Sequence, residues 1–395
     1  MTSFDAELGH RLDALREQNL FRELRRVDSA QGPHIEVEGK TLLNFSSNDY
    51  LGLANHAALK DAAIKAVGKF GAGAGASRLI CGSLAPFHQL EEVIASFKRT
   101  EAALSFSTGY AAALGTITAL LGKGDIIILD KLVHASIVDA ARLSGAKLRV
   151  FAHNDLNDLE EKLRWASGLP KTQNPDARTL VATESVFSMD GDTAPLQEIV
   201  ALKNKYGAWL MVDEAHATGI LGAGGRGLAD DLGVSEHIEI QMGTLGKALG
   251  ASGGYICSRR ALIDLLINRA RSFIFSTAPV PATAAAAVAG IKLTQSAEGE
   301  LRRANLRKHI AAFQSALGRQ PSAIPTAIMP LIVGDEAKAS EIAQRLREQN
   351  IFVPAIRYPT VARGSARLRI TLTAAHTAAD LTKLTAALKN LDVGS

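Results

Sequence analysis

From Ala102 onward the chain alternates short β-rich runs with amphipathic helical stretches, and this rhythm restricts its fold more than any other feature. Expected strands are Ala102–Ser107, Ile126–Asp130, Leu148–Ala152, Leu180–Glu184, Trp209–Asp213, Ile238–Met242 and Gly254–Ser258. Helix-like stretches fall between them at Ala111–Leu121, Ser136–Leu143, Leu156–Trp165 and Leu196–Tyr206. Such repetition builds a mainly parallel sheet, since a parallel crossover needs a helix to bring the chain back. The stretch Gly168–Arg178, with Pro170, Asn174 and Pro175, reads as a surface loop.

After Pro279 and Pro281 the pattern changes. A long helical region runs to about Leu317, followed by a strand at Ile328–Val333 and a helix at Ala337–Gln349. Strands near Phe352 and at Arg367–Leu372 precede a last helix, Ala378–Leu391. The expected division is a helical and strand-forming lead at residues 1–45, a large α/β domain at 46–280, and a smaller α+β domain at 281–395. A chain of 395 residues is long enough to need more than one core.

Composition excludes several classes. The net charge of +4 is small for this length and argues against a dedicated nucleic-acid binder. Met1–Arg26 is charged and helix-like, without the apolar centre of a signal peptide, and no apolar stretch is long enough to span a membrane. Cys81 and Cys257, each in an apolar setting, form neither a disulfide framework nor a metal set. Read as buried small hydrophobes, they fit a reducing, cytoplasmic compartment.

Three motifs tempt and fail. Gly222-Ala-Gly224-Gly-Arg-Gly227 matches a dinucleotide fingerprint by letter, but no apolar helix opens from it, so it reads as a mobile glycine loop. Gly246-Lys247 lacks the first glycine and the hydroxyl residue of a P-loop, with Gln241 and Ala248 in their places. Asp213-Glu-Ala-His216 resembles a helicase tetrad without the P-loop that would use it.

A pyridoxal-phosphate site explains the same segments. It needs a lysine for the aldehyde, a carboxylate for the pyridine nitrogen, phosphate donors at a loop or helix start, and an aromatic cover for the ring. Asp213 ends an apolar strand, His216 follows it, and Lys247 lies just past the next strand. Gly243, Gly246, Gly250, Gly253 and Gly254 suggest backbone packed closely around a bulky ligand. Thr244, one turn from Lys247, and Gly109 and Tyr110 at a strand-to-helix turn are candidate phosphate holders. His134 and Ser188 each follow another strand. Open α/β sheets bind ligands at the carboxyl ends of strands, where all of these residues fall.

Five segments together resemble the α-oxoamine synthases over nearly the whole chain. They are Asn44-Phe-Ser-Ser-Asn48-Asp-Tyr-Leu-Gly52, Glu184…Phe-Ser188-Met-Asp-Gly-Asp192, Asp213-Glu-Ala-His216, Thr244-Leu-Gly-Lys247 and Arg367-Leu-Arg369-Ile-Thr-Leu-Thr. The resemblance implies a fold type I pyridoxal-phosphate transferase, with a mainly parallel seven-stranded sheet in its large domain and a smaller α+β C-terminal domain. It implies that Lys247 carries pyridoxal 5′-phosphate and moves the Cα proton, that Asp213 pairs with the pyridinium, that His216 meets the ring oxygen, and that His134 covers the ring. Gly109, Tyr110, Ser188 and Thr244 would hold the cofactor, and Arg369, with Asn48, the amino-acid carboxylate. Arg22 and Thr360 match substrate-contacting positions. A homodimer is implied, in which Ser276 and Thr277 could reach the neighbour's phosphate.

Phe151-Ala-His-Asn-Asp155 and Leu331-Ile-Val-Gly-Asp335 are most similar to the biotin-pathway branch, which joins L-alanine to pimeloyl-CoA or a pimeloyl carrier protein. Gly71-Ala-Gly-Ala-Gly75 running into Ala76-Ser-Arg78-Leu-Ile-Cys-Gly82 is instead similar to the relative that uses glycine and acetyl-CoA. A plain aminotransferase and a non-catalytic subunit on the same fold are the remaining alternatives; Lys247 speaks against the last.

Overall fold

A computed structural model describes residues 3–168, 177–318, 320 and 323–391. Most of the expected Gly168–Arg178 loop lies outside the described residues. The strands in chain order are β1 (His34–Val37), β2 (Lys40–Asn44), β3 (Ala102–Phe106), β4 (Ile126–Asp130), β5 (Lys147–Phe151), β6 (Thr179–Glu184) and β7 (Trp209–Asp213). After them come β8 (Ile240–Thr244), β9 (Gly254–Ser258), β10 (Ile328–Gly334), β11 (Ile351–Phe352), β12 (Ala355–Ile356) and β13 (Ala366–Thr371). The chain divides into two compact units: Asp49–Ser188 with Asp192–Ala304, and Met1–Asn48 with Met189–Gly191 and Asn305–Ser395.

The larger unit is built on a seven-stranded sheet of order β3-β9-β8-β7-β6-β4-β5. Pairing is parallel from β8 through β7, β6 and β4 to β5. Strand β9 runs antiparallel to both β3 and β8. The interior strands are buried almost throughout, as a sheet covered on both faces requires, while edge strand β5 is largely exposed.

Alternation along β9 separates the two faces. Ile256 joins a cluster with Ile117 and Ile137 from the helices Gly109–Leu120 and Ala135–Ser144, and with Leu266 from the helix Arg260–Arg269. Its neighbours Tyr255 and Cys257 point the other way. They pack with Phe87, Leu90 and Ile94 of the helix Ala85–Lys98 and with Ala287 and Ile291 of the helix Pro281–Thr294.

That last contact moves the expected boundary. Residues 281–304, read as the start of the smaller domain, belong to the larger unit. Pro281 opens a helix there, its missing N–H costing nothing in the first turn. Gly290 lets this helix approach the backbone of Leu249, since an added Cβ would stand 2.2 Å from the Leu249 carbonyl oxygen. The expected single helical region is two helices, Pro281–Thr294 and Ala297–Ala316, and the division between units falls inside the second.

In the smaller unit β1 and β2 form a hairpin over Glu38 and Gly39, both at positive φ, and β11 adds to β2 in parallel. The lead segment therefore groups with the C-terminal residues instead of standing alone. A second sheet, β10-β13-β12, is antiparallel. The helix Glu336–Glu348 starts at Asp335, whose carboxylate accepts from Lys338 N–H at 2.7 Å. The helix Ala378–Lys389 starts at a Thr377/Asp380 capping box. Among the described residues no helix is long and apolar enough to cross a membrane. Cys257 is buried as expected, but Cys81 is exposed.

Candidate active site

Because β4, β6, β7 and β8 run the same way, their carboxyl ends line up along one edge of the sheet. Asp130, Glu184, Asp213 and Thr244 are the last residues of those strands, and Glu184 stands opposite Asp213 in register. Sheet direction alone thus collects acidic groups from distant parts of the sequence.

Lys247 follows β8 in a tight turn, and its Nζ lies 2.6 Å from His216 Nε2. On the other side of that imidazole, Nδ1 lies 2.6 Å from Tyr50 Oη. Asp213 is buried and accepts from Ala215 N–H at 2.9 Å. Burial raises its pKa, and the nearby charges of Lys247 and then His134 work against that rise. His134 caps the helix Ala135–Ser144, its Nδ1 3.2 Å from Ser136 N–H and 2.8 Å from the Ser136 hydroxyl. Desolvation lowers the His134 pKa and the Asp213 charge pulls it back, which places the two groups in one electrostatic neighbourhood with Lys247. Glu184 is fully buried, and one of its carboxyl oxygens finds no hydrogen-bond partner. Burial first, and the charge of Asp213 second, push its pKa up to about 8.

At the same edge the helix Gly109–Leu120 begins, capped by Thr108, whose hydroxyl accepts from Ala111 N–H at 3.0 Å. The amides of Gly109 and Tyr110 open its first turn, where a helix offers N–H groups and positive potential to an anion. The Tyr110 hydroxyl donates to Asp139 at 2.6 Å. Thr244 Oγ1 donates to the Gly253 carbonyl at 2.9 Å and accepts from Gly246 N–H, so its hydroxyl already braces the lysine turn. Ser188 lies in the turn after β6.

The glycines around Lys247 do not serve as expected. Added Cβ atoms would strike protein: Gly243 the Tyr255 hydroxyl at 2.3 Å, Gly250 the Leu53 backbone at 2.6 Å, and Gly254 the Gly109 backbone at 2.6 Å. Gly253 would meet the Phe106 carbonyl oxygen at 3.0 Å, and only Gly246 has room. Gly243, Gly250, Gly253 and Gly254 let the lysine turn and the helix start pack against neighbouring protein. The Gly222–Gly227 loop is likewise packed: at Gly227, φ +119, a Cβ would land 2.4 Å from the Glu214 carboxylate. Glu214 accepts from Ala229 N–H and is paired in the interior with Lys98, which also donates to the Arg226 carbonyl.

Within the smaller unit, Arg369 sits on β13, buried, and donates to Asn48 Oδ1 and to Thr371 Oγ1, each at 3.1 Å. Arg22 donates to Thr360 Oγ1 at 3.3 Å, so these two expected substrate contacts meet although 338 residues separate them. Arg357, unassigned from sequence, donates to the Asn19 carbonyl beside them, and the charge of Arg22 helps desolvation lower its pKa.

Sequence reasoning missed Tyr50 and Glu184. Both stand inside quoted motifs, and a buried polar side chain within an apolar run was the available clue. It missed His153 too, held between Asp130 at 2.9 Å and Asp192 at 2.7 Å. A groove of about 840 Å³ lined by Glu101, Trp209, Gln241 and Arg259 contains none of the residues of the lysine constellation.

The donor set fits pyridoxal phosphate: a lysine amine held by a histidine, a buried carboxylate that gains from a cationic partner, and a helix start for an anion. The model of the class I and II aminotransferases matches residues 40–388. The chain is 48% identical over 383 residues, 96% of either chain, to the 8-amino-7-oxononanoate synthase of Geobacter sulfurreducens. It is 46% identical to that of Herminiimonas arsenicoxydans, over 96% of this chain and 97% of the relative. Among solved structures, the serine palmitoyltransferase of Sphingomonas wittichii superposes with a TM-score of 0.89 at 31% identity, covering 99% of this chain and 97% of that one. The 8-amino-7-oxononanoate synthase of Francisella tularensis does so at 0.74 and 29%, covering 89% and 96%. The chain belongs to the class I and II aminotransferase family, with the fold type I architecture of its solved relatives.

Proposed function

We propose that this chain condenses L-alanine with pimeloyl-CoA, or a pimeloyl carrier protein, to give 8-amino-7-oxononanoate, carbon dioxide and the free thiol, a step of biotin synthesis. The observation that carries the reading is the amine of Lys247 held 2.6 Å from His216, with Asp213 buried in the same neighbourhood, in a chain 48% identical to a named 8-amino-7-oxononanoate synthase. The cofactor is pyridoxal 5′-phosphate, which a solved serine palmitoyltransferase of similar fold holds as an aldimine with myriocin.

When bound, that cofactor supplies an electrophilic aldehyde and a ring that accepts the electron pair left at Cα. Lys247 Nζ would hold the aldehyde and, as a free amine, would carry the Cα proton. Asp213, buried, would place a negative charge beside the ring nitrogen and so favour a proton there. His216 would meet the ring oxygen and His134 would cover the ring. Gly109 and Tyr110 offer backbone N–H groups to the phosphate, with Ser188 and Thr244 beside them. Arg369, oriented by Asn48, grips the substrate carboxylate as a guanidinium fork, which selects the Cα bond to be broken. Arg22 and Thr360 contact the acyl substrate.

The enzyme is a cytoplasmic homodimer in this reading. Ile80 is 78% exposed and Phe275 70%, and the Ser77–Thr277 bridge joins their two segments into an apolar edge suited to a second copy. Ser276 and Thr277 on that edge then approach the neighbour's phosphate.

Thiol release and product mass, measured with alanine plus pimeloyl-CoA and with glycine plus acetyl-CoA, test the substrate assignment. Alanine with pimeloyl-CoA is expected to lead in kcat/KM by roughly tenfold or more. The reverse order would transfer the chain to the glycine-using branch to which Gly71–Gly82 is similar.

A further inference from the structure

Tyr50 is linked to the lysine through His216, and that position gives it a task. Its side chain is 0% exposed, and its turn is pinned on both sides. Asp49 accepts from Leu53 N–H at 2.7 Å and Ala54 N–H at 3.0 Å, and Gly250 closes against Leu53 with no room for a side chain. The phenol cannot swing away from Nδ1 of His216 without breaking this turn.

A neutral imidazole carries one N–H, and its partners decide which nitrogen holds it. Opposite an ammonium, which only donates, Nε2 of His216 must accept, and Nδ1–H then donates to the Tyr50 oxygen. Opposite the ring oxygen of the cofactor, Nε2 must donate, and Nδ1 then accepts from the Tyr50 hydroxyl. A hydroxyl meets both demands by turning about its C–O bond. The ring carries one N–H in either arrangement, so it neither gains nor loses a proton overall.

We infer that Tyr50 is a positioning residue that sets the tautomer of His216, letting it accept from Lys247 in one state and donate to the cofactor's ring oxygen in the other; this rests on the functional reading above. Through His216, Tyr50 tunes how readily the nitrogen of Lys247 holds a proton once the cofactor is attached.

Tyr50→Phe deletes one oxygen and keeps the buried ring, so the fold is retained. The readout is the pH midpoint of the visible absorbance of the cofactor-loaded protein, alongside kcat and KM. Tyr50→Phe is expected to displace that midpoint by about half a pH unit or more and to lower kcat about tenfold, with KM for the amino acid changed less than about twofold. In a His216→Asn background the same change is expected to leave the midpoint in place. An unmoved midpoint in the single variant, or an equal displacement in both backgrounds, overturns the role of Tyr50. A parent protein that takes up no cofactor overturns the functional reading, and this inference with it.

Discussion

Glu184 and Asp213 face each other across β6 and β7, and burial works on both in the same sense. Two adjacent carboxylates cannot both ionise cheaply away from water, so one keeps its proton, which leaves the other to supply the charge proposed for a pyridinium. Between the ordinary carboxyl value and about 8, native Glu184 keeps a proton that the unfolded chain has released. Its contribution to stability is therefore complete below the ordinary value and is lost as pH rises through about 8. Glu184→Gln is expected to flatten that decline, read from urea midpoints of the cofactor-free protein between about pH 5 and pH 9; parallel curves for parent and variant would contradict it. His153 behaves alike for a different reason. Burial opposes its charge, but hydrogen bonds to Asp130 and then Asp192 prevail and raise its pKa to about 10. His153→Ala is expected to cost about 2 kcal/mol at neutral pH, because it strips a charged partner from buried Asp130, and to cost progressively less as pH climbs through about 10. Asp213 ends a strand and His134, His216 and Lys247 follow strands that their own neighbours announce, so the meeting of Lys247 with His216 was open to a reading of the sequence. Tyr50 could not be given a role, since its partner lies 166 residues away and no local pattern couples them.

The apolar runs made the strands readable, and β4, β7 and β9 lie where expected to the residue. Their neighbours in space were not readable. Strand β9 inserts antiparallel between β3 and β8, an order that its apolar content does not announce. Gly254 lets β9 pass against Thr108 and Gly109, the helix start proposed to hold phosphate. Gly254→Ala is expected to weaken cofactor binding by tenfold or more, consistent with about 1–3 kcal/mol for overpacking, while far-ultraviolet dichroism stays unchanged. An unaltered dissociation constant would show that the helix start is not part of the phosphate site. The helix Pro281–Thr294 groups with the larger unit although Pro279 and Pro281 read as punctuation before it. Its alanines and Gly290 instead allow close packing against the larger unit.

For the whole molecule, alternation of strands and helices declared the sheet and its covering layers, and a distributed set of motifs declared the family. The grouping of residues 1–48 with the C-terminal part could not be read, because a short hairpin finds its third strand, β11, only in three dimensions. The proposed chemistry depends on one nitrogen. Borohydride reduction of the cofactor-loaded protein, followed by peptide mass analysis, locates the residue that bears the cofactor. The added mass is expected on the peptide containing Lys247 and absent from Lys247→Ala, which should also show no turnover. A modified lysine elsewhere, or an unmodified protein that still forms the amino ketone, would contradict the account.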